Sequence, residues 1–394
     1  MGEVYAGRYE LVDHLGGGGS GAVWRAWDHR HGRYLAVKLL RQRDAGAMMR
    51  FVREQSMRVA HPHVLPPTGF AADDDVVLLT MDLMAGGSLS SLVADVGPLP
   101  VPYAVLLLDQ LLDALVDVHA AGLVHRDVKP ANVLLDPVQA GRPLLRLADF
   151  GIAVSLGEPR LTDLGLVIGT PAYLAPETAQ GAEPHARQDL YAAGAVGWYL
   201  LRGIDPRPDV PVPVDDLAGQ LPPPLLAVWS KLLAPEPGMR YHVAAEARAD
   251  LGAAVRASGL AEVVAAIGTP TAPPEVNRIR IPDRLGALPP GWGPEGPDPS
   301  PDRPVPGNGR SPRPAYELPT EPARSPGAGP TIAFGANPTI VEPAPPTRSP
   351  ASAASPASAA PRRGVRPGTI VRLGAAVAFV LLAIALFTAA VFVP

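Results

Sequence analysis

The stretch LVHRDVKPANVLL, Leu123 to Leu135, restricts the possible folds of this chain more than any other. Between two apolar flanks it sets a carboxylate (Asp127), an ammonium (Lys129) and a carboxamide (Asn132). Charged side chains are rarely fully buried unless paired. The run therefore reads as a cluster of polar groups set for chemistry and not as core. Two more segments extend the pattern. LADFGIA, Leu147 to Ala153, brings a second carboxylate, Asp149, and GTPAYLAPE, Gly169 to Glu177, follows it.

The N-terminal part has a different texture. YELVDHLG (Tyr9 to Gly16), GAVWRAWD (Gly21 to Asp28) and RYLAVKLL (Arg33 to Leu40) alternate as strands do. Between the first two lies LGGGGSGAVW, which has the look of a flexible spacer but joins two strands of one hairpin. Gly16, Gly18 and Gly21 also satisfy G-x-G-x-x-G-x-V, ending on Val23. Glycine lets backbone N–H groups approach phosphates without intervening side chains. Ser20 at the tip can offer its N–H to a γ-phosphate. Lys38, on the next strand, is placed to reach the α and β phosphates. Glu54 lies on a segment with helical spacing and can either face Lys38 or remain a surface glutamate. In the central cluster, Asp127 can accept the proton of an attacking hydroxyl and Lys129 can steady a phosphoryl group in transfer. Asn132 and Asp149 supply oxygen donors of the kind a hard cation such as Mg²⁺ prefers.

Together these motifs resemble the bacterial Hanks-type (eukaryotic-like) serine/threonine protein kinases, over residues 9 to about 252, with the domain extending to 268. The resemblance implies an α+β, two-lobed fold, with a five-stranded antiparallel N-lobe bearing one helix and a mainly helical C-lobe. ATP would lie between them, with Mg²⁺ or Mn²⁺ held by Asn132 and Asp149. Leu15 and Val23 would cover the adenine, Ala36 would lie beside it and Leu134 below. Backbone groups of Asp82 and Met84 would bind its edge, with Met81 as gatekeeper. Lys38 and Glu54 would form an ion pair. Glu177 with Arg240, and Asp189 beneath the catalytic loop, would be structural supports. Lys129 and the GTPAY run imply Ser/Thr substrates, with Thr170 bonding toward Asp127 and Lys129. Arg126 would receive an activation-loop phosphate; Thr162 is either that phosphosite or a solvated loop residue. The family also implies homodimers through the N-lobe. Retention of Lys38, Asp127 and Asp149 favours an active enzyme over a catalytically silent scaffold.

Composition changes beyond the domain. Roughly half of the 49 prolines fall between Pro270 and Pro367, among Gly, Ser, Ala and Thr. Such a stretch buries too little apolar surface to offset its ordering entropy, so residues 269–366 read as a disordered linker. Thr331 and Thr339 each follow a proline, and are either products of composition bias or phosphosites for FHA-type readers. Residues 373–393 are apolar and uncharged, about 20 residues, the span of a bilayer core. Arg362, Arg363, Arg366 and Arg372 precede this stretch, which predicts a single-pass anchor in the cell membrane with the N-terminal domain cytoplasmic and essentially no extracellular domain. A net charge of −4 gives no electrostatic case for a nucleic-acid partner.

Overall fold

The computed structural model describes residues 3–18, 21–41, 59–73, 76–138, 141–149, 171–208 and 210–298. The N-lobe is a six-stranded antiparallel sheet: β1 (Val4–Tyr5), β2 (Tyr9–Gly18), β3 (Gly21–Asp28), β4 (Arg33–Arg41), β5 (Gly69–Asp73) and β6 (Val76–Met81), in the order β1-β2-β3-β4-β6-β5. The short edge strand β1 pairs Val4 with Glu10 and Tyr5 with Tyr9, adding one strand to the expected five. Glu54 and its predicted helix lie outside the described residues.

Strand periodicity sets the two faces of this sheet, because successive side chains point to opposite sides. Leu35 and Val37 join Tyr9, Leu11, Ala26, Ala71 and Leu78 in a buried core on one face. The intervening residues of β4, Ala36 and Lys38, therefore face the other side. There Ala36 packs with Leu65, Met81 and Ala148.

Asp28 closes the β3 end of the sheet. Its carboxylate accepts from Arg8 Nε at 2.8 Å and Nη2 at 2.7 Å, bonds His31 Nδ1 at 2.8 Å, and accepts from the Arg30 N–H at 3.0 Å. Burial alone would raise its pKa, but the bonds from Arg8 and His31, the Arg8 charge and the Arg30 amide outweigh it and hold it down to about 2. The carboxylate thus stabilises the fold above the unfolded value near 4, and that contribution disappears as pH falls through about 2. Each pKa unit corresponds to about 1.4 kcal/mol, so denaturant titrations should lose about 2 kcal/mol along this acid limb. In Asp28→Asn the limb should be correspondingly flatter.

The C-lobe is helical. α1 (Leu89–Val96) is N-capped by Ser88, whose hydroxyl accepts from the Ser91 N–H while Ser91 Oγ accepts from the Ser88 N–H. This reciprocal pair satisfies two otherwise orphaned donors. α2 (Val101–Ala120) starts after Pro100, and α4 (Ala186–Arg202) is buried continuously from Gln188 to Leu201. Between these two lie β7 (Val133–Leu135) and β8 (Leu145–Leu147), which pair antiparallel, and the single turn α3 (Pro176–Ala179). α5 (Pro223–Leu232) packs on α4 where the latter has Gly194 and Gly197. A Cβ at Gly197 would meet Trp229 at 2.9 Å. α6 (Ala244–Ala257), α7 (Ala261–Ala266) and α8 (Pro274–Asn277) complete the lobe.

The chain does not leave the domain at 269. Residues 269–298, assigned to the linker on composition, are packed against it. Ile281 exchanges backbone hydrogen bonds with Val138 at 2.8 and 3.0 Å, and the Arg284 N–H donates to the Ala85 carbonyl at 2.8 Å. A small hairpin of β9 (Trp292–Gly293) and β10 (Gly296–Pro297) then rests on the N-lobe. Composition misjudged this segment because Ile279, Ile281 and Val276 are buried among the prolines. No helix among the described residues is long and apolar enough to cross a membrane; residues 373–393 lie outside them.

Candidate active site

The catalytic-loop candidates converge because their backbone is pinned from behind. Asp189, near the start of α4 and 1% exposed, accepts from the His125 N–H and the Arg126 N–H, each at 2.8 Å, and bonds His119 Nε2 at 2.9 Å. Arg126 has φ +69°, a conformation that costs a non-glycine residue about 1–3 kcal/mol and persists only where surroundings impose it. The two bonds to Asp189 are that imposition.

His125 is fully buried and lies between the two carboxylate-bearing segments. Nε2 bonds the Ala148 carbonyl at 3.0 Å and Nδ1 accepts from the Asp127 N–H at 3.3 Å. Those two partners require the neutral tautomer with its proton on Nε2. Burial pushes the pKa down in the same direction, against the nearby Asp189 and Asp127 charges. The ring thereby locks Asp127 to the segment leading into Asp149. Sequence reading missed this role; the signal was a histidine in the middle of an apolar strand-like run.

At the centre, Asp127 Oδ2 accepts from Lys129 Nζ at 2.8 Å and from Asn132 Nδ2 at 2.7 Å. Asn132 Nδ2 also reaches the Asp127 carbonyl at 2.9 Å. With its NH₂ committed to Asp127, the Asn132 amide must present its oxygen the other way. Asp149 (φ +61°) receives Lys38 Nζ at 2.7 Å. Lys38 is 6% exposed, so its ammonium is a charge held out of bulk water by this pair. Asp149 and Asn132 both offer oxygens, which fits a hard divalent cation.

The apolar half of the cleft is equally defined. Val23, Leu83, Met84 and Leu134 pack against buried Ala36, Leu65, Met81 and Ala148. This set, drawn from β3, β4, β6 and the segment after it, β7, Leu65 before β5 and Ala148 after β8, forms apolar walls suited to a flat aromatic base. Leu15 is half-buried on β2, and Gly16 and Gly18 pair with Val23 and Gly21 across the β2–β3 hairpin. Asp82 is exposed in the segment after β6, residues 82–87, which forms the hinge between the lobes, and its carboxylate is 3.4 Å from Arg33. Ser20, Glu54, Thr162 and Thr170 lie outside the described residues.

Two structural supports are also in place. Arg240, its side chain 0% exposed, forks onto Glu177 at 2.7 and 2.8 Å. It also donates to the carbonyls of Ala234, Pro235 and Arg187. On the same side, Tyr173 donates to Asp205 Oδ1 at 2.5 Å.

Comparison with known proteins shows the family of the chain. Residues 9–212 match the family model described as protein kinase domain. The serine/threonine-protein kinase PkaA of Streptomyces coelicolor is 38% identical over 215 residues, covering 50% of this chain and 39% of that protein. PknA of Mycobacterium tuberculosis is 34% identical over 282 residues, 65% of this chain and 63% of that one. The DNA damage-responsive serine/threonine-protein kinase RqkA of Deinococcus radiodurans is 41% identical over 217 residues, covering 52% and 31%. The chain thus spans less than two thirds of the length of these relatives. The crystal structure of a mutant kinase domain of M. tuberculosis PknI superposes with a TM-score of 0.52 at 28% identity, over 64% of this chain and 98% of that one.

Proposed function

The chain belongs to the protein kinase domain family, and from that premise we propose that it transfers the γ-phosphoryl group of ATP to serine and threonine hydroxyls of proteins. The observation that carries this reading is the convergence on one cleft of Lys38–Asp149 at 2.7 Å and Lys129–Asp127–Asn132 at 2.7–2.8 Å.

Each residue has a definable part. Asp127 orients the substrate hydroxyl and accepts its proton, while Lys129 balances the growing negative charge near that oxygen. Lys38, desolvated on its strand, positions the phosphates of the nucleotide, and the apolar walls around Ala36, Met81 and Leu134 hold its base. Asn132 and Asp149 would hold Mg²⁺, which when bound neutralises phosphate charge. Most of the rate acceleration in such chemistry comes from positioning and electrostatics. The pinned backbone of Arg126 and the His125 bridge supply that rigidity.

The apolar residues 373–393 and the arginines before them support attachment to the cell membrane with the kinase domain cytoplasmic. Thr331 and Thr339 are the linker sites we assign to phosphothreonine-reading partners. One preparation tests these points. Membranes from cells expressing the full-length chain should retain it through an alkaline wash. With Mg–ATP they should label added protein on Ser and Thr, and phosphopeptide mapping should find Thr331 or Thr339 modified. Label confined to tyrosine would overturn the substrate class, release by the wash the anchor, and an unmodified linker the docking sites.

A further inference from the structure

The segment after the C-lobe does more than cover surface. From Ile279 to Asp298 it runs from the C-lobe, past the hinge, onto the N-lobe sheet. Ile281 pairs with Val138 near the end of β7, and the Arg284 N–H holds the carbonyl of Ala85, a residue of the hinge. Its guanidinium lies against Asp95 and the Ser91 carbonyl on α1. One and three residues on, the carbonyls of Leu285 and Ala287 accept from Nη2 of Arg25, at 3.3 and 3.4 Å. Arg25 is a β3 residue only 3% exposed and already forked onto Asp13. Farther along, Tyr34 of β4 donates to the Gly293 carbonyl at 2.6 Å, and Trp292 stacks at a tilt on the same ring.

The contact is built into both partners. A Cβ on Gly86 would meet the Leu135 carbonyl at 2.5 Å and Ile281 at 2.7 Å. One on Gly87 (φ +77°) would meet Arg284 at 2.5 Å. One on Gly296 (φ +108°) would meet the face of Trp27 at 2.5 Å. Glycine thus occurs on the hinge and on the strap at the places of closest approach. A Pro-rich segment seated by chance would not require such matched positions.

We propose that residues 279–298 are a strap that fixes the hinge and the opening between the lobes, and so act as positioning residues for the nucleotide site. The strap's contacts named above are with Ala85, Val138, α1, β3 and β4. It acts through Ala85, which continues directly from the Asp82–Met84 stretch, and through β3 and β4, which carry Val23, Ala36 and Lys38. Without it the lobes sample open arrangements in which the two halves of the site are apart. Apparent affinity then falls by the fraction of molecules still competent.

The test uses full-length chains carrying Trp292→Ala with Gly296→Val, or separately Arg284→Pro, which deletes the N–H donated to Ala85. Hydrogen exchange is read first, without nucleotide. Both variants should exchange about tenfold faster than wild type in β3, β4 and residues 81–85, with α4 and α6 unchanged. The nucleotide half of the proposal rests on the kinase reading. A fluorescent ADP with Mg²⁺ should bind about tenfold more weakly, and KM for ATP should rise by a similar factor with kcat within about twofold. Unchanged exchange in β3 and β4 would overturn the proposal, as would a fall in kcat at unchanged nucleotide affinity. Since exchange needs no catalysis, a wild-type chain that transferred no phosphate would refute the kinase reading and leave the strap result standing.

Discussion

Asp127→Asn is expected to lower phosphoryl transfer by about 10³-fold or more while leaving Mg–nucleotide binding within a few-fold of wild type. The carboxylate contributes in two ways that an amide cannot replace. It accepts the hydroxyl proton, a role typically contributing about 10²–10⁴-fold. It also organises its neighbours, since Oδ2 accepts from both Lys129 and Asn132. In the variant one terminal atom becomes an NH₂. With the amide oxygen in the Oδ2 place both donors keep an acceptor, but the group that takes the proton and the negative charge that holds Lys129 are gone. Nucleotide affinity should persist because the apolar walls and Lys38 belong to other elements. Quench-flow transfer rates measured beside equilibrium nucleotide binding separate the two effects. A variant that lost binding and rate in equal proportion would make Asp127 a structural residue.

Arg240→Ala should cost about 3–5 kcal/mol of stability, the usual consequence of breaking one side of a buried ion pair. The substitution leaves the Glu177 carboxylate, 17% exposed, without its fork. It also strands the carbonyls of Ala234, Pro235 and Arg187. For a domain of this size each kcal/mol corresponds to about 2–4 °C in melting temperature, so thermal denaturation should shift down by roughly 10 °C. Replacing both partners at once, Arg240→Met with Glu177→Gln, should recover part of that loss, because no buried charge then remains uncompensated.

What the sequence disclosed follows from how local each signal is. Asp127, Lys129 and Asn132 lie within six residues, so their convergence needs only the one turn at Pro130–Asn132 that the structure contains. The glycine hairpin was legible for the same reason, since strand alternation on both sides fixed what Gly16 to Gly21 connect. Long-range partnerships were legible only through resemblance: Arg240 meets Glu177 63 residues away, and Asp189 meets His125 64 residues away. The strap escaped notice because composition averages over a window, whereas its docking depends on a few residues such as Ile281, Arg284, Ala287 and Trp292 meeting partners up to 262 positions distant. The β1 edge strand is two residues long, too short for any periodicity. Lys38 shows the converse case: its strand and face were readable, while its 2.7 Å contact with Asp149 depends on how the lobes meet.

The central claim is that Lys38, Asp127, Lys129, Asn132 and Asp149 form one phosphoryl-transfer centre. Its most direct test is single-turnover transfer of γ-³²P from Mg–ATP to a Ser/Thr-containing protein by the full-length wild-type chain, run with and without EDTA. The expected result is rapid, metal-dependent labelling of the acceptor. Labelling no higher than a control without the chain, or labelling indifferent to EDTA, would contradict it.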